Sequence, residues 1–415
     1  MNEAVSLPLS AEAASPATFT GVRGDFRRLI IRGALLELIT LGFYRFWLAT
    51  DIQRHLWSHT SVGGDAPEYT GTAKELLIGF LIALAILAPV YLAYFFIGVE
   101  AELYQDFASI PLVIFFYLFY QFAIYRARRY RLTRTVWRGV RFWMKGSGWV
   151  YALQAGLWML LVIITLGLAQ PWRQAALERY KMKNSHYGDL AGRFDGTGWG
   201  LAKQIWPLWI PLVFPIGFIV LASIYYESFV IGLILYEPRT IGLIVLVLLI
   251  VVLVFLIAFP FAYAAYKAAE WAWWVSGIRF ADIRMESKLS TSAFIALYWK
   301  VISWTFPLLA VLSVWFTGVI VGASAAIGDS IGEAESDLAI LQNPVVLIGA
   351  ALGYILCALA FGIVVRMYLR RDLWARVVAS TIIYNMSAAD NVTGRGVAAS
   401  ALGEGLADGL HIGGF

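Results

Sequence analysis

The sequence predicts an all-α, polytopic helical membrane protein built from internal repeats. Three observations predict it. The chain is 60% hydrophobic and only 14% charged, with a mean hydropathy of +0.72, whereas a soluble domain carries about 25% charged residues. Several runs reach the roughly 20 apolar residues that cross a bilayer core. Finally, one passage occurs twice: Thr40–Leu76 lines up without a gap against Thr165–Leu201, at a constant offset of 125, with ten of 37 positions identical. The identities are Thr40/Thr165, Leu41/Leu166, Gly42/Gly167, Trp47/Trp172, Arg54/Arg179, Gly63/Gly188, Ala66/Ala191, Gly71/Gly196, Thr72/Thr197 and Leu76/Leu201. Tyr69 and Phe194 add an aromatic match. Background residue usage would give roughly two or three identities. A fixed period of this length marks a duplicated architectural unit. In membrane proteins such units build a pathway or pocket at their interface.

Taken in order, residues 1–18 are rich in Ala, Ser and Pro without an apolar core. They predict a disordered cytoplasmic tail rather than a signal peptide. Leu29–Trp47 is a weak apolar run, interrupted by Arg32 and Glu37. Leu76–Ile97 and the shorter Pro111–Ile124 predict a first transmembrane hairpin over 76–124. Val150–Ala169 is apolar. Ile205–Leu221 and Ile241–Ala265 predict a second hairpin over 205–265, and Ile295–Val321 with Val345–Val365 a third over 295–365. Residues 385–415 read as a Gly- and Ala-rich cytoplasmic tail. The repeat divides the membrane part into units 19–138 and 139–276 and a diverged unit 277–384. The third unit opens where Gly277-Ile278-Arg279-Phe280 repeats Gly139-Val140-Arg141-Phe142, but it lacks a Thr-Leu-Gly.

The connections sort by charge. Gly98–Ile110 and Val321–Asn343 hold acidic residues and no Lys or Arg, and Ser223–Thr240 sets Glu227 and Glu237 against Arg239 alone. Arg126–Lys145, Arg173–Lys203, Lys267–Lys288 and the residues after Val365 are basic. Positive connections face the cytoplasm, so three hairpins have acidic outer tips. Leu29–Trp47 and Val150–Ala169 then break parity, since each lies between segments assigned to one side. Both predict broken, re-entrant or interfacial segments. Full crossing by both is the alternative, which gives six to eight crossings.

These pieces resemble the YjgN-like family of bacterial inner-membrane proteins. The resemblance rests on Phe19-Thr20-Gly21, on Thr40-Leu41-Gly42-Phe43-Tyr44-Arg45-Phe46-Trp47 with Arg54, and on Tyr69-Thr70-Gly71. It continues in Thr165-Leu166-Gly167-Leu168 with Pro171-Trp172 and Arg179-Tyr180, and in Gly403-Glu404-Gly405-Leu406-Ala407-Asp408-Gly409. It implies a location and an architecture, and carries over no catalytic residue.

Little of the sequence points to catalysis. There are four His and one Cys, and no nucleophile or phosphate-binding motif, so neither an enzyme nor a cofactor is expected. Asp51, His55 and His59 are spaced four apart on a helical stretch, a pattern that suits a metal ion or a polar interfacial stripe. Arg54 and Arg179 lie seven residues after Trp47 and Trp172. Each could hold lipid phosphate through two hydrogen bonds or anchor its segment. Arg32 and Glu37 are ionisable groups in an apolar stretch, a functional signal by default at membrane depth. Thr40, Gly42, Tyr69, Gly71, Thr165, Gly167, Phe194 and Gly196 read as structural parts of the repeated motif. The basic connections predict contact with anionic lipid headgroups rather than nucleic acid. Two functions follow: a transport-type bundle binding a lipid or small solute at the repeat interface, or a scaffold docking another inner-membrane protein on its basic face.

Overall fold

A computed structural model of the chain describes residues 14–100, 105–208, 238–327 and 343–396. Helices dominate. Among the described residues, four are long and apolar enough to cross a membrane: Ala73–Phe96, Ile110–Thr133, Thr291–Ala325 and Pro344–Ala379. The all-α expectation needs correction, because the base of the molecule is a nine-stranded antiparallel sheet. Its strands are two to five residues long and sit inside the basic connections. That is why hydropathy alone reads them as loops.

The chain alternates helical hairpins with β-turns. Strand β1 is Ala14–Pro16 and β2 is Thr18–Phe19. Helices α1 (Arg23–Ile39) and α2 (Arg45–Ser58) lead to β3 (Thr60–Ser61) and β4 (Glu68–Tyr69). Then α3 (Ala73–Glu100) and α4 (Gln105–Thr133) return to β5 (Thr135–Trp137) and β6 (Val140–Met144). Next, α5 (Gly148–Ile164) and α6 (Gln170–Lys183) lead to β7 (Ser185–Tyr187) and β8 (Leu190–Phe194). A helix over 198–208, α7, follows. After it, α8 (Pro238–Gly277) delivers β9 (Ile278–Phe280) and β10 (Ile283–Ser287). Last come α9 (Thr291–Ile327), α10 (Pro344–Val365), a π-helical turn at Arg366–Asp372, α11 (Leu373–Ala379) and β11 (Thr381–Tyr384). The α1–α2 hairpin therefore runs from β2 to β3 of a small two-stranded sheet, and each later hairpin leaves from the nine-stranded sheet and returns to it.

The strand order is β1-β11-β10-β9-β8-β7-β6-β5-β4. The separate two-stranded sheet extends this into an incomplete ring: β2 continues β1 past Ala17 and pairs with β3, and an isolated bridge between Val62 and Asp65 tightens the turn that leads from β3 toward β4. Two-residue turns make the tight hairpins, and each begins with positive φ: Arg138 (48°), Gly188 (55°) and Ala281 (49°). Such turns match the right-handed strand twist. They also correct the weaker internal match. Gly139 is the second turn residue after β5, whereas Gly277 ends α8. The corresponding strands are β5 with β9 and β6 with β10, five residues out of step with the sequence alignment.

The disordered N-terminal tail needs correction where it is described, and the described part of the C-terminal segment is packed. Ala14–Pro16 pairs with Ile382–Tyr384, so the last part of the N-terminal segment is sheet. The C-terminal segment runs across the sheet's turns. Asn385 donates to the Asp282 carbonyl, Asp390 pairs with Arg138 at 2.8 Å, and Thr393 donates to Asp189 at 2.8 Å. Ala389, Met386 and Val392 pack on Trp137, Tyr187 and Ile383. Residues 1–13 and 397–415, the middle of the second expected hairpin and most of the third acidic tip lie outside the described residues.

At the sheet, the hairpin bases are tied by ion pairs. Arg134 holds Glu75 through Nη2 at 2.7 Å and Nε at 3.1 Å, and the Tyr130 hydroxyl joins at 2.7 Å. Away from the sheet, the helices expose apolar side chains outward, as in Leu81, Leu92, Val113, Leu309, Val314 and Leu356. In water this surface would be a large apolar patch that no soluble monomer tolerates.

Candidate functional site

The repeated Thr-Leu-Gly is a chain reversal that satisfies its own backbone. At the first copy Thr40 has φ −91°, ψ 13°, Leu41 φ 51° and Gly42 φ 90°. At the second, Thr165 has the same φ and ψ, with Leu166 at 50° and Gly167 at 92°. The Gly N–H groups donate back to Glu37 and Val162 at 2.7 and 2.6 Å. The Thr hydroxyls donate to Leu36 and Leu161, both at 2.7 Å, and accept from the Tyr44 and Ala169 N–H groups. The tip is apolar and bare: Leu41 is 90% exposed and Leu166 63%.

Arg54 and Arg179 also play matching parts. The Arg54 guanidinium donates to the Gly71 carbonyl at 2.8 Å, and that of Arg179 to the Gly196 carbonyl at 3.2 Å. Each thereby clamps its helix to the turn before the next helix. The aromatic two residues earlier lies over each Gly: a Cβ at Gly71 would sit 2.6 Å from the Tyr69 ring, and one at Gly196 2.5 Å from that of Phe194. Phe19 stands over Gly21 in the same way. Trp47 stacks on Tyr44, and Trp172 lies beside Trp199.

Glu37 finds a distant partner. Its carboxylate takes Arg366 at 2.9 Å, joining α1 to the end of α10. Arg32 is exposed on α1. Asp51, His55 and His59 do not form a metal centre, and among the described residues no three His, Cys, Asp or Glu side chains gather as ligands would. The His55 and His59 rings face each other at 4.2 Å, but His59 Nδ1 is spent on the His55 carbonyl at 2.8 Å. Burial pushes the Asp51 carboxyl up against the pull of Arg54 and Arg32. Burial, with His59 and Arg371, pushes His55 down.

Two adjoining, partly open cavities lie among the described residues. One, of 390 Å³, lies inside the ring of strands and is walled by Trp57, Trp137, Phe142, Tyr187, Ile283 and Trp374 among others. It is apolar. The other, of 540 Å³, lies among α4, α6, α8 and α9, and is polar. Arg128, Arg131, Trp271 and Trp274 line both. Both volumes fall in the range of ligand pockets, about 300–1,000 Å³.

Two ion-pair groups organise the polar cavity. Glu178 takes Arg128 at 2.8 Å, Trp274 Nε1 at 3.0 Å, and Lys181. Burial alone would raise this carboxyl, but the charges of Lys181 and Arg128, with hydrogen bonds from Lys181 and Trp274, hold it at about 2. Glu270 takes Lys267 at 2.6 Å and the Gln174 amide at 2.6 Å. Arg173 bonds the neutral Tyr117 hydroxyl at 3.0 Å and the Gln170 amide oxygen at 3.4 Å.

None of these cavity residues was singled out by sequence. A signal existed: Glu178 is the one carboxylate between Arg173 and Lys183, and an isolated acid in a cationic helix implies a pair. Much of the basic stretch 126–145 also turns inward. Arg128 and Arg134 hold Glu178 and Glu75, and Arg141 donates to the Thr133 carbonyl at 2.5 Å.

No curated protein and no solved structure matches the chain. A family model described as bacterial protein of unknown function (DUF898) matches residues 14–409. That span takes in every strand, hairpin and cavity residue described above, so the chain belongs to this bacterial family, the one also called YjgN-like.

Proposed function

We propose that the protein is a transport-type integral protein of the bacterial inner membrane, which binds a lipid or small solute in the paired cavities between its sheet and its helices. The observation that carries this reading is the shared wall. An apolar chamber and a charged one meet at Arg128, Arg131, Trp271 and Trp274, where helices 4, 6 and 8 reach the sheet. Most proteins spend such a position on a packed core.

The hairpin geometry supports a cytoplasmic sheet. Every hairpin but α1–α2, which runs from β2 to β3, begins and ends on the nine-stranded sheet, which supports all the basic connections sharing one side, as the charge rule requires. The short pairs α1–α2 and α5–α6 resolve the parity conflict by dipping into the cytoplasmic leaflet and returning. At about 1.5 Å per residue, α6 with its 14 residues spans roughly 21 Å, short of the roughly 30 Å core. An exposed Leu held at positive φ at the tip suits lipid, and a self-bonded turn suits a medium without water.

The test is native mass spectrometry of protein released gently from membranes. The wild type is expected to carry a bound small molecule or lipid. Ala17→Trp or Ile283→Trp, each of which fills the chamber, should lose it while keeping the wild-type melting temperature. An identical adduct pattern in folded chamber-filled variants would overturn the proposal.

A further inference from the structure

Resting on that reading, we infer that the ligand is an amphipathic anion: a phosphate or carboxylate head held in the polar cavity, joined to an apolar body that enters the ring of strands. The charge balance carries the first half. Among the described residues, and leaving aside Arg131, which is engaged elsewhere, four cations line the polar cavity (Arg128, Arg173, Lys181 and Lys267) against two carboxylates, Glu178 and Glu270. Both carboxylates are already committed. Glu178 is shared by Arg128 and Lys181, and Glu270 is taken by Lys267 and Gln174. Arg173 has neutral partners only among the described residues, and its Nε is buried without one.

A guanidinium withdrawn from water costs free energy unless a counter-charge meets it. At the membrane boundary the remaining solvent is poor in anions, so a surplus of cations facing a cavity is a standing attraction for one. Guanidinium groups suit phosphate and carboxylate in particular, since they offer a planar fork of donors. The second half follows from the neighbouring walls. Beyond Arg128 and Arg131 the space belongs to Trp57, Trp137, Phe142, Ile283 and Met285. These side chains offer apolar area and stacking faces. A free inorganic anion would leave that chamber empty, and a neutral amphiphile would leave Arg173 uncompensated. Only a molecule with both ends uses both cavities.

Alkyl phosphates test this on the full-length protein in zwitterionic phosphatidylcholine nanodiscs, read by isothermal calorimetry. Octyl, decyl and dodecyl phosphate are expected to bind one per chain, with affinity rising roughly fourfold per methylene. Inorganic phosphate and dodecanol should bind at least tenfold more weakly than dodecyl phosphate. Arg173→Gln should lose about tenfold for decyl phosphate with an unchanged melting temperature, and Arg173→Lys should recover part of it. Adding phosphatidylglycerol to the nanodisc separates the sources: competition with decyl phosphate marks a bilayer lipid as occupant, and undiminished binding marks a soluble amphiphile. Equal affinity for dodecanol, or an unaltered Arg173→Gln variant, overturns the anionic head but leaves the chamber reading intact. Tight inorganic phosphate binding with no chain-length dependence overturns the apolar body. Binding of none of these probes by a folded protein overturns both.

Discussion

At the scale of single residues, the Thr-Leu-Gly reversal shows what a chain must do to turn round where water is scarce. A helix end leaves backbone groups without partners, and in an apolar medium each orphan is expensive. Here the Thr hydroxyl supplies one acceptor and one donor, and the Gly adopts a φ of 90°. The two roles separate experimentally. At Gly42 nothing lies within 4 Å of an added Cβ, so Gly42→Ala is penalised by backbone conformation alone. It should cost about 1–2 kcal/mol. Thr40→Val leaves the Tyr44 N–H without its acceptor, at a cost of about 1–3 kcal/mol. Both appear as lowered unfolding free energy in detergent. Absence of any loss in both would mean that the turn is not formed as described. The duplicated arginines share one local contact. Arg54 and Arg179 bond a carbonyl at equivalent positions, which favours the anchoring role over lipid phosphate. Glu37, an ionisable group inside an apolar run, serves as half of a tie to Arg366.

At the scale of elements, legibility divides by length. The long helices were readable because about 20 apolar residues have one cheap destination. The turns within Leu29–Trp47 and after Val150–Ile164 were readable in part, since the Thr-Leu-Gly that marks each is where the chain reverses. The strands were missed. They bury alternate side chains over too few residues to give a period, as in β5, whose pattern is buried, intermediate, buried. Yet Thr135-Val136-Trp137 and Val140-Arg141-Phe142 flank an Arg138-Gly139 turn, and β-branched or aromatic residues around such a pair are a hairpin signal. The cavity residues escaped because pairing between helices 4, 6 and 8 is a tertiary fact. The packing of the C-terminal segment was not legible for a related reason: its composition is that of a tail, but its contacts are with turns that only the sheet brings together. Its hold is testable. Asp189 accepts from both the N–H and the hydroxyl of Thr393, and Gly188 lies against Val392. Asp189→Ala is expected to speed proteolytic cleavage between residues 385 and 396 several-fold in inside-out vesicles, without altering cleavage elsewhere. An unchanged rate would show that the segment is held by its other contacts, the Arg138–Asp390 pair, the Asn385–Asp282 bond and the apolar packing on Trp137 and Tyr187.

At the scale of the whole molecule, one sheet gathers the returns of every hairpin after the first, and this makes topology a single question. If the sheet is cytoplasmic, all its turns are, and the short hairpins cannot have crossed. If one short pair crossed, the chain would have to carry part of the sheet through the bilayer, breaking the continuous hydrogen bonding from β4 to β1. The energetic case is one-sided, since each unsatisfied strand group costs several kcal/mol in hydrocarbon. Single cysteines in a Cys357→Ala background put this to measurement. Ala66 and Ala191 are exposed positions beside the β3–β4 and β7–β8 turns. Ser336 lies in the acidic connection 321–343, which the charge rule places outside. With a membrane-impermeant thiol reagent on intact cells, Ser336→Cys is expected to label, and Ala66→Cys and Ala191→Cys only after permeabilisation. Labelling of Ala66→Cys or Ala191→Cys from outside would split the turns of one sheet between two compartments. That result would refute both the dipping hairpins and the common sheet on which the apolar chamber depends. Protection of both turns would leave the polar cavity at the cytoplasmic boundary, the level at which an anionic head in the inner leaflet could reach Arg173.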